Sequence, residues 1–245
     1  MIEQLIHRIR SLALAMTVLL AAGCATLDPK NVQIQTKGKT VAVASALGPN
    51  LDLKWMGTTI FNWEEGQLAV PSWGIDEQAT KAASAALSAT QRYAAVTVLT
   101  GVRRAAIAGR VGDPAPKLPA DARADFLLLI SQSYTNDAIY RTNATYAGLG
   151  IAQRSLLGFE PPTHAYISVL VELFDITAGK SLGSRQKFVH WPITAKLKSG
   201  GSSTRTLNKN PVPSIDDRDL AQLQQPFTTR LVPVIDQLIG DIGLR

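Results

Sequence analysis

The chain is short of the residues that most often carry chemistry. Its 245 residues hold one cysteine, Cys24, and three histidines, His7, His164 and His190. One cysteine excludes an internal disulfide framework and any multi-cysteine zinc or iron–sulfur site. No stretch reaches the roughly 20 consecutive apolar residues that a membrane-spanning helix needs. There is no G-x-S-x-G elbow and no H-E-x-x-H, and Gly148-Leu-Gly150 is not followed by the third glycine of a nucleotide-binding loop. No repeat of fixed period is present. Apolar residues at 46% and charged residues at 18% describe an ordinary globular chain, not a disordered, collagen-like or coiled-coil one. The net charge of +6 is a mild basic excess for this length.

What is present begins at the amino terminus. Residues 1–10 are short and polar, with His7, Arg8 and Arg10 against one acid, Glu3. Leu12 to Ala22 is apolar except for Thr17, and Gly23-Cys24 follows. A basic start, a short apolar core and small residues at its end define a secretory signal peptide over residues 1–23. A membrane span would need about twice that apolar length.

The run closes Leu20-Ala21-Ala22-Gly23-Cys24, and here the sequence resembles the lipobox of bacterial lipoproteins. It departs from the commonest form in having Ala21, with Leu20 one step earlier, at the place three before the cysteine. The resemblance implies cleavage between Gly23 and Cys24, a diacylglycerol on the cysteine sulfur and acylation of the new amino group. Ala25, in place of aspartate, implies the outer membrane, facing the periplasm. Two or more acyl chains, at about 0.8 kcal/mol per buried CH₂, would make a durable anchor. The bland alternative is plain secretion with Cys24 as a free thiol.

Residues 24–39, mostly polar and carrying Pro29, read as a flexible tether spanning on the order of 20 Å. A single domain is expected over 40–245. Thr40 to Ala46 and Leu51 to Asn62 alternate as strands, with Gly48-Pro49-Asn50 supplying a turn between them. Ile75, Ala79, Ala82, Ala83, Ala86 and Leu87 recur at helical spacing, with Asp76 and Glu77 in the first turn. Tyr93 to Leu99 is a further strand. Phe126 to Ile130 has the continuous apolar run of a strand buried on both faces. Residues near 135–162 look like a loop insertion. Tyr166 to Asp175 and Ser181 to Trp191 form a hairpin around Thr177-Ala-Gly179. Residues 192–213 read as a basic loop. The last helix starts at a capping-box-like Ser214-Ile-Asp-Asp217, and Pro226 and Pro233 should kink or split it. The expected class is α/β (α+β): one mixed sheet of about five to six strands with helices against it, in the order β-β-α-β, a variable stretch, then β-β-β-α.

With Ala124-Asp125 feeding the central strand and Val171 to Lys180 forming the hairpin, this order resembles periplasmic α/β envelope lipoproteins. Among these are the curli-secretion lipoprotein and the activator of penicillin-binding proteins. No functional residue of theirs is matched here, and fold does not imply function.

Candidate residues are few. His164 and His190 are each read as structural or solvated side chains. Glu64 and Glu65, side by side in a polar turn, would point apart, and Asp216, Asp217 and Asp219 suit a helix start. Between Ile176 and Ile215 lie Lys180, Arg185, Lys187, Lys196, Lys198, Arg205 and Lys209 with no acid. That stretch either keeps a loop soluble or, through Lys196, Lys198, Arg205 and Lys209, meets an anionic membrane surface. Trp55 belongs to the apolar face of its strand. Trp63 and Trp73 flank a polar stretch and either pack their loop or offer partner contacts. The resulting expectation is a non-catalytic adaptor bound to the membrane through Cys24 and to another envelope protein, with no cofactor, metal or nucleic acid. The rivals are an envelope hydrolase with a dispersed site and a homo-oligomeric secretion subunit.

Overall fold

A computed structural model describes residues 27–58, 63–102, 112–119, 122–157, 159–200 and 212–245. Gly23, Cys24, Arg205 and Lys209 lie outside the described residues. Among the described residues the architecture is α+β, one mixed sheet of nine strands with three α-helices. The strands are β1 (Thr40–Ala46), β2 (Asn50–Met56), β3 (Trp63–Ala69), β4 (Ala95–Leu99), β5 (Phe126–Gln132), β6 (Tyr134–Asn136), β7 (Thr145–Arg154), β8 (Thr163–Asp175) and β9 (Lys180–Ile193). The helices are α1 (Pro29–Thr36), α2 (Ile75–Ala89) and α3 (Asp217–Ile242).

The long hairpin β8–β9 is the spine. Along one edge of β8, antiparallel to it, β7 pairs with the first half and β5 with the second. β9 occupies the other edge over its whole length. In turn β1 runs parallel to β5, and β2 runs parallel to β7. β1 and β2 therefore point the same way and do not pair; the chain bends between them at Gly48-Pro49. The break between them is held from outside. The Asp76 carboxylate, at the start of α2, accepts hydrogen bonds from the amides of Leu47 and Gly48 and from the Ser45 hydroxyl.

Three strands more than expected come from two places. The region read as an insertion contains β6 and β7: the chain leaves the sheet after β5, turns over 137–144 and returns as β7. The polar stretch between Trp63 and Trp73 contains β3, an outer strand paired only with β2. Its exposed Glu65, Gln67 and Ala69 alternate with more buried positions, so its polarity is that of one solvated face.

One face of the sheet carries the helices. Val41, Val43, Leu128, Ile130, Ile167, Val169, Val171 and Leu173 meet Ala79, Ala83 and Leu87 of α2 and Phe227, Leu231, Ile235 and Leu238 of α3. Each such buried Leu, Ile or Phe contributes about 1.5–3 kcal/mol. α3 is a single helix that keeps both Pro226 and Pro233 inside it and does not split there. Its cap is Asp216, whose carboxylate pairs with Lys198 at 2.5 Å instead of capping through its side chain. No described helix is long and apolar enough to cross a membrane.

The expected tether is largely folded. Asp28 caps α1, accepting from the Lys30 amide, and Pro29 fills the first turn, where a missing N–H costs nothing. Leu27, Val32 and Thr36 are buried. Gly243 lets the end of α3 close on α1: with φ of 94°, a Cβ there would stand 2.3 Å from the Pro29 carbonyl oxygen.

Candidate functional site

The opposite face of the sheet is where the polar groups converge. The pairings place residues of five strands on common lines across it. One line runs Gln67, Asp52, Gly150, Tyr166, His190, and the next Glu65, Lys54, Ala152, His164, Pro192. Small residues at Gly150 and Ala152 leave the middle of the face open for side chains from either side. At Gly150 the openness is essential. A Cβ there would lie 2.3 Å from the Asp52 carbonyl oxygen and 2.4 Å from the Tyr166 hydroxyl. Across that gap Tyr166 donates to Asp52 Oδ2 at 3.0 Å.

Lys54 is only 5% exposed. Its ammonium lies 3.3 Å from Asp52 Oδ2 and 3.0 Å from Glu65 Oε1, and 5.6 Å from the centre of the Trp63 ring. A buried ammonium needs such partners, because desolvation otherwise costs several kcal/mol. Burial raises the proton affinity of the Asp52 carboxyl above the ordinary aspartate value, and the Lys54 charge and Tyr166 hydroxyl only partly oppose this. These groups floor a cavity of about 390 Å³, walled on one side by Trp63, Glu65 and Gln67 and on the other by Asn143, Thr145 and Tyr134 of the β6–β7 hairpin.

The hairpin is tied to the sheet by Asp137. Its carboxylate accepts from the amides of Ile139, Tyr140 and Thr142, the Thr142 hydroxyl and the Tyr146 phenol. Burial pushes the Asp137 carboxyl up. The bonds from Thr142, Tyr140 and Tyr146 outweigh it and hold the group below its ordinary value. Tyr146 then stacks on Phe188 and leans on Tyr166, with centroids 5.6 and 4.7 Å apart. This aromatic cluster joins the hairpin to the β8–β9 spine.

The residues singled out from the sequence are scattered. Trp63 lines the cavity. Trp73 is 6% exposed and packs on Phe227 at 5.6 Å. Lys196 lies 3.6 Å from Glu160 and Lys198 pairs with Asp216. Arg185 donates to the Leu27 carbonyl and Lys187 to Gln237, both on the helical side. The basic stretch is thus divided between two faces, with Arg185, Lys187, Lys196 and Lys198 each engaged separately. Glu64 and Glu65 do point apart, but from a strand: Glu64 is buried and accepts from Ser199 and Gly200, while Glu65 faces the cavity. Asp52, Lys54, Asp137, Tyr146 and Tyr166 were not legible as site residues. Their one sequence signal is charge at Asp52 and Lys54 on the polar side of an alternating strand.

No family model and no curated protein matches the chain. Solved structures similar to it include protein XCC0632 of Xanthomonas campestris, of the family DUF330, at 15% identity and a TM-score of 0.38, covering 84% of each chain. The PelC dodecamer of Paraburkholderia phytofirmans is similar at 13% and 0.34, over 85% of this chain and 89% of that one. The hypothetical protein CT253 of Chlamydia trachomatis is similar at 13% and 0.31, over 84% and 96%. The likeness is remote in each case and carries no site residue across.

Proposed function

We propose that the protein is a lipid-anchored accessory protein of the bacterial envelope, held through Cys24 at the periplasmic side of the outer membrane. It binds another envelope component in the groove between the β2–β3 ribbon and the β6–β7 hairpin, and acts as a non-catalytic adaptor. The observation that carries the binding site is the Asp52–Lys54–Glu65 triad, built around the buried Lys54 ammonium and flooring a 390 Å³ polar cavity. Groups fixed by one another in this way present donors and acceptors to a polar ligand with little ordering cost. The address is supported by the leader and by Leu20-Ala21-Ala22-Gly23-Cys24.

A photocrosslinking residue at Gln67, on the groove wall, should capture a defined envelope component in intact cells. The same residue at Lys81, exposed on α2, should not, and Lys54→Met should reduce capture at Gln67. Identical products from both positions would remove the groove from the proposal. Palmitate should label the wild type and not Cys24→Ser; equal labelling would overturn the anchor.

One observation favours a second reading, an envelope hydrolase. Asp52, with its raised proton affinity, shares the cavity with a second carboxylate, Glu65, and unequal carboxylates are how glycosidases divide acid from base. Against it, the Lys54 ammonium fills the space between them. Turnover of peptidoglycan or another envelope glycan by the purified chain, abolished in Asp52→Asn, would decide for the hydrolase.

A further inference from the structure

The polar face holds a second cluster that neither the groove nor the hairpin uses. His164 on β8 and His190 on β9 sit on adjacent lines of the same face, diagonal neighbours across the spine. Their Nδ1 atoms are 3.1 Å apart and their ring centres 5.0 Å apart, with the planes inclined by 56°. Each ring is backed by another. Tyr140 stands edge-on to His164 at 5.8 Å, and Phe188 lies 5.7 Å from His190. The Tyr140 hydroxyl is itself spent on the carbonyls of Ala152 and Pro162, so its ring is fixed. His190 is exposed and His164 half-buried, which leaves the pair open to solvent on one side.

We propose that His164 and His190 form a two-histidine chelate for a divalent late transition metal, with water completing the coordination sphere. The geometry is the argument. Two nitrogens 3.1 Å apart subtend roughly 100° at an ion 2.0–2.1 Å from each, between the tetrahedral and square-planar values. Cross-strand pairing sets that separation, and the backing rings restrain both imidazoles, so little side-chain freedom is lost on binding. Two imidazoles with open water positions suit copper(II), nickel(II) and zinc(II), in falling affinity from copper. In the metal-free pair one ring donates its Nδ1 proton to the other. On binding, that proton moves to Nε2 of the same ring, and none is released. The site is independent of the groove, and its ligand is the ion itself.

The test uses the full chain and copper(II) or zinc(II) alone, at neutral pH. Titration calorimetry should show one ion per chain. His164→Ala and His190→Ala should each weaken binding by more than about tenfold, since even losing a ligand's supporting hydrogen bond costs roughly 10–100-fold. The copper(II) paramagnetic resonance spectrum should carry coupling to two imidazole nitrogens in the wild type and fewer in either variant. Both substitutions fall on the solvated side of the spine, and unchanged melting of the metal-free variants confirms folding. Binding that is equal in wild type and variants would place the ion elsewhere, at Cys24 or the amino terminus, and overturn the proposal. So would a wild type that binds nothing at millimolar metal.

Discussion

At the scale of single residues, the site is a set of compromises around one buried cation. Lys54 needs both carboxylates, yet burying Asp52 beside it raises that group's proton affinity. The sign of the consequence follows from linkage. The folded chain holds the Asp52 proton at pH values where the unfolded chain, with an ordinary value of 3.8, has released it. Stability therefore falls as pH rises from about 4 through the folded value. Asp52→Asn should flatten that slope while keeping a partner for Tyr166, as read by urea unfolding between pH 4 and 8. An unchanged slope would mean that Lys54 compensates Asp52 fully. This coupling was hidden in the sequence for a physical reason. Asp52 and Tyr166 are 114 positions apart, and only the absence of a side chain at Gly150 on the strand between lets them meet.

At the scale of elements, what was legible is what repeats. α2 declared itself by an alanine stripe, β5 by an unbroken apolar run and β8–β9 by alternation around an Asp–Gly turn, where Asp175 accepts from the Ala178 amide. What escaped was β3, polar because one face is solvated, and β7, whose glycines at 148 and 150 look like loop residues. Those glycines answer to side chains of other strands, Gln132 and Tyr166, which no local pattern records. The prolines of α3 do not split it: packing of Leu223, Phe227, Leu231 and Val234 outweighs their local cost. In the β6–β7 hairpin five donors converge on one carboxylate, that of Asp137. Asp137→Ala should cost about 1–3 kcal/mol at neutral pH by leaving the buried Tyr146 hydroxyl unpaired. The wild-type carboxyl sits below its ordinary value, so its contribution is present above about pH 4 and fades as pH falls through the folded value. The gap between wild type and variant should narrow in urea titrations at pH 3.

At the scale of the whole molecule, the folded body begins earlier than the sequence suggests. Leu27 is already buried, Arg185 holds its carbonyl, and α1 is clasped to the end of α3, where Gln33 donates to the Arg245 carbonyl. In the proposed lipoprotein only Ala25 and Thr26 separate Cys24 from Leu27, a span of about 10 Å when fully extended. Inserting a Gly/Ser segment of some twenty residues after Thr26 should leave palmitate labelling intact. It should weaken capture of any partner embedded in the membrane, because a longer connection lowers the effective concentration. Capture that is unchanged by the insertion would point to a partner free in the periplasm.

In the proposed lipoprotein so short a leash would turn the bilayer into a wall of the molecule's working space. A protein on a long stem can sample a hemisphere and meet partners at any height. This one would swing within about a nanometre of the lipid, with the α1–α3 junction always nearest the surface. Whatever it recognises must come down to that level or already reside there, and the direction in which the groove faces would be set by the fold rather than by chance tumbling.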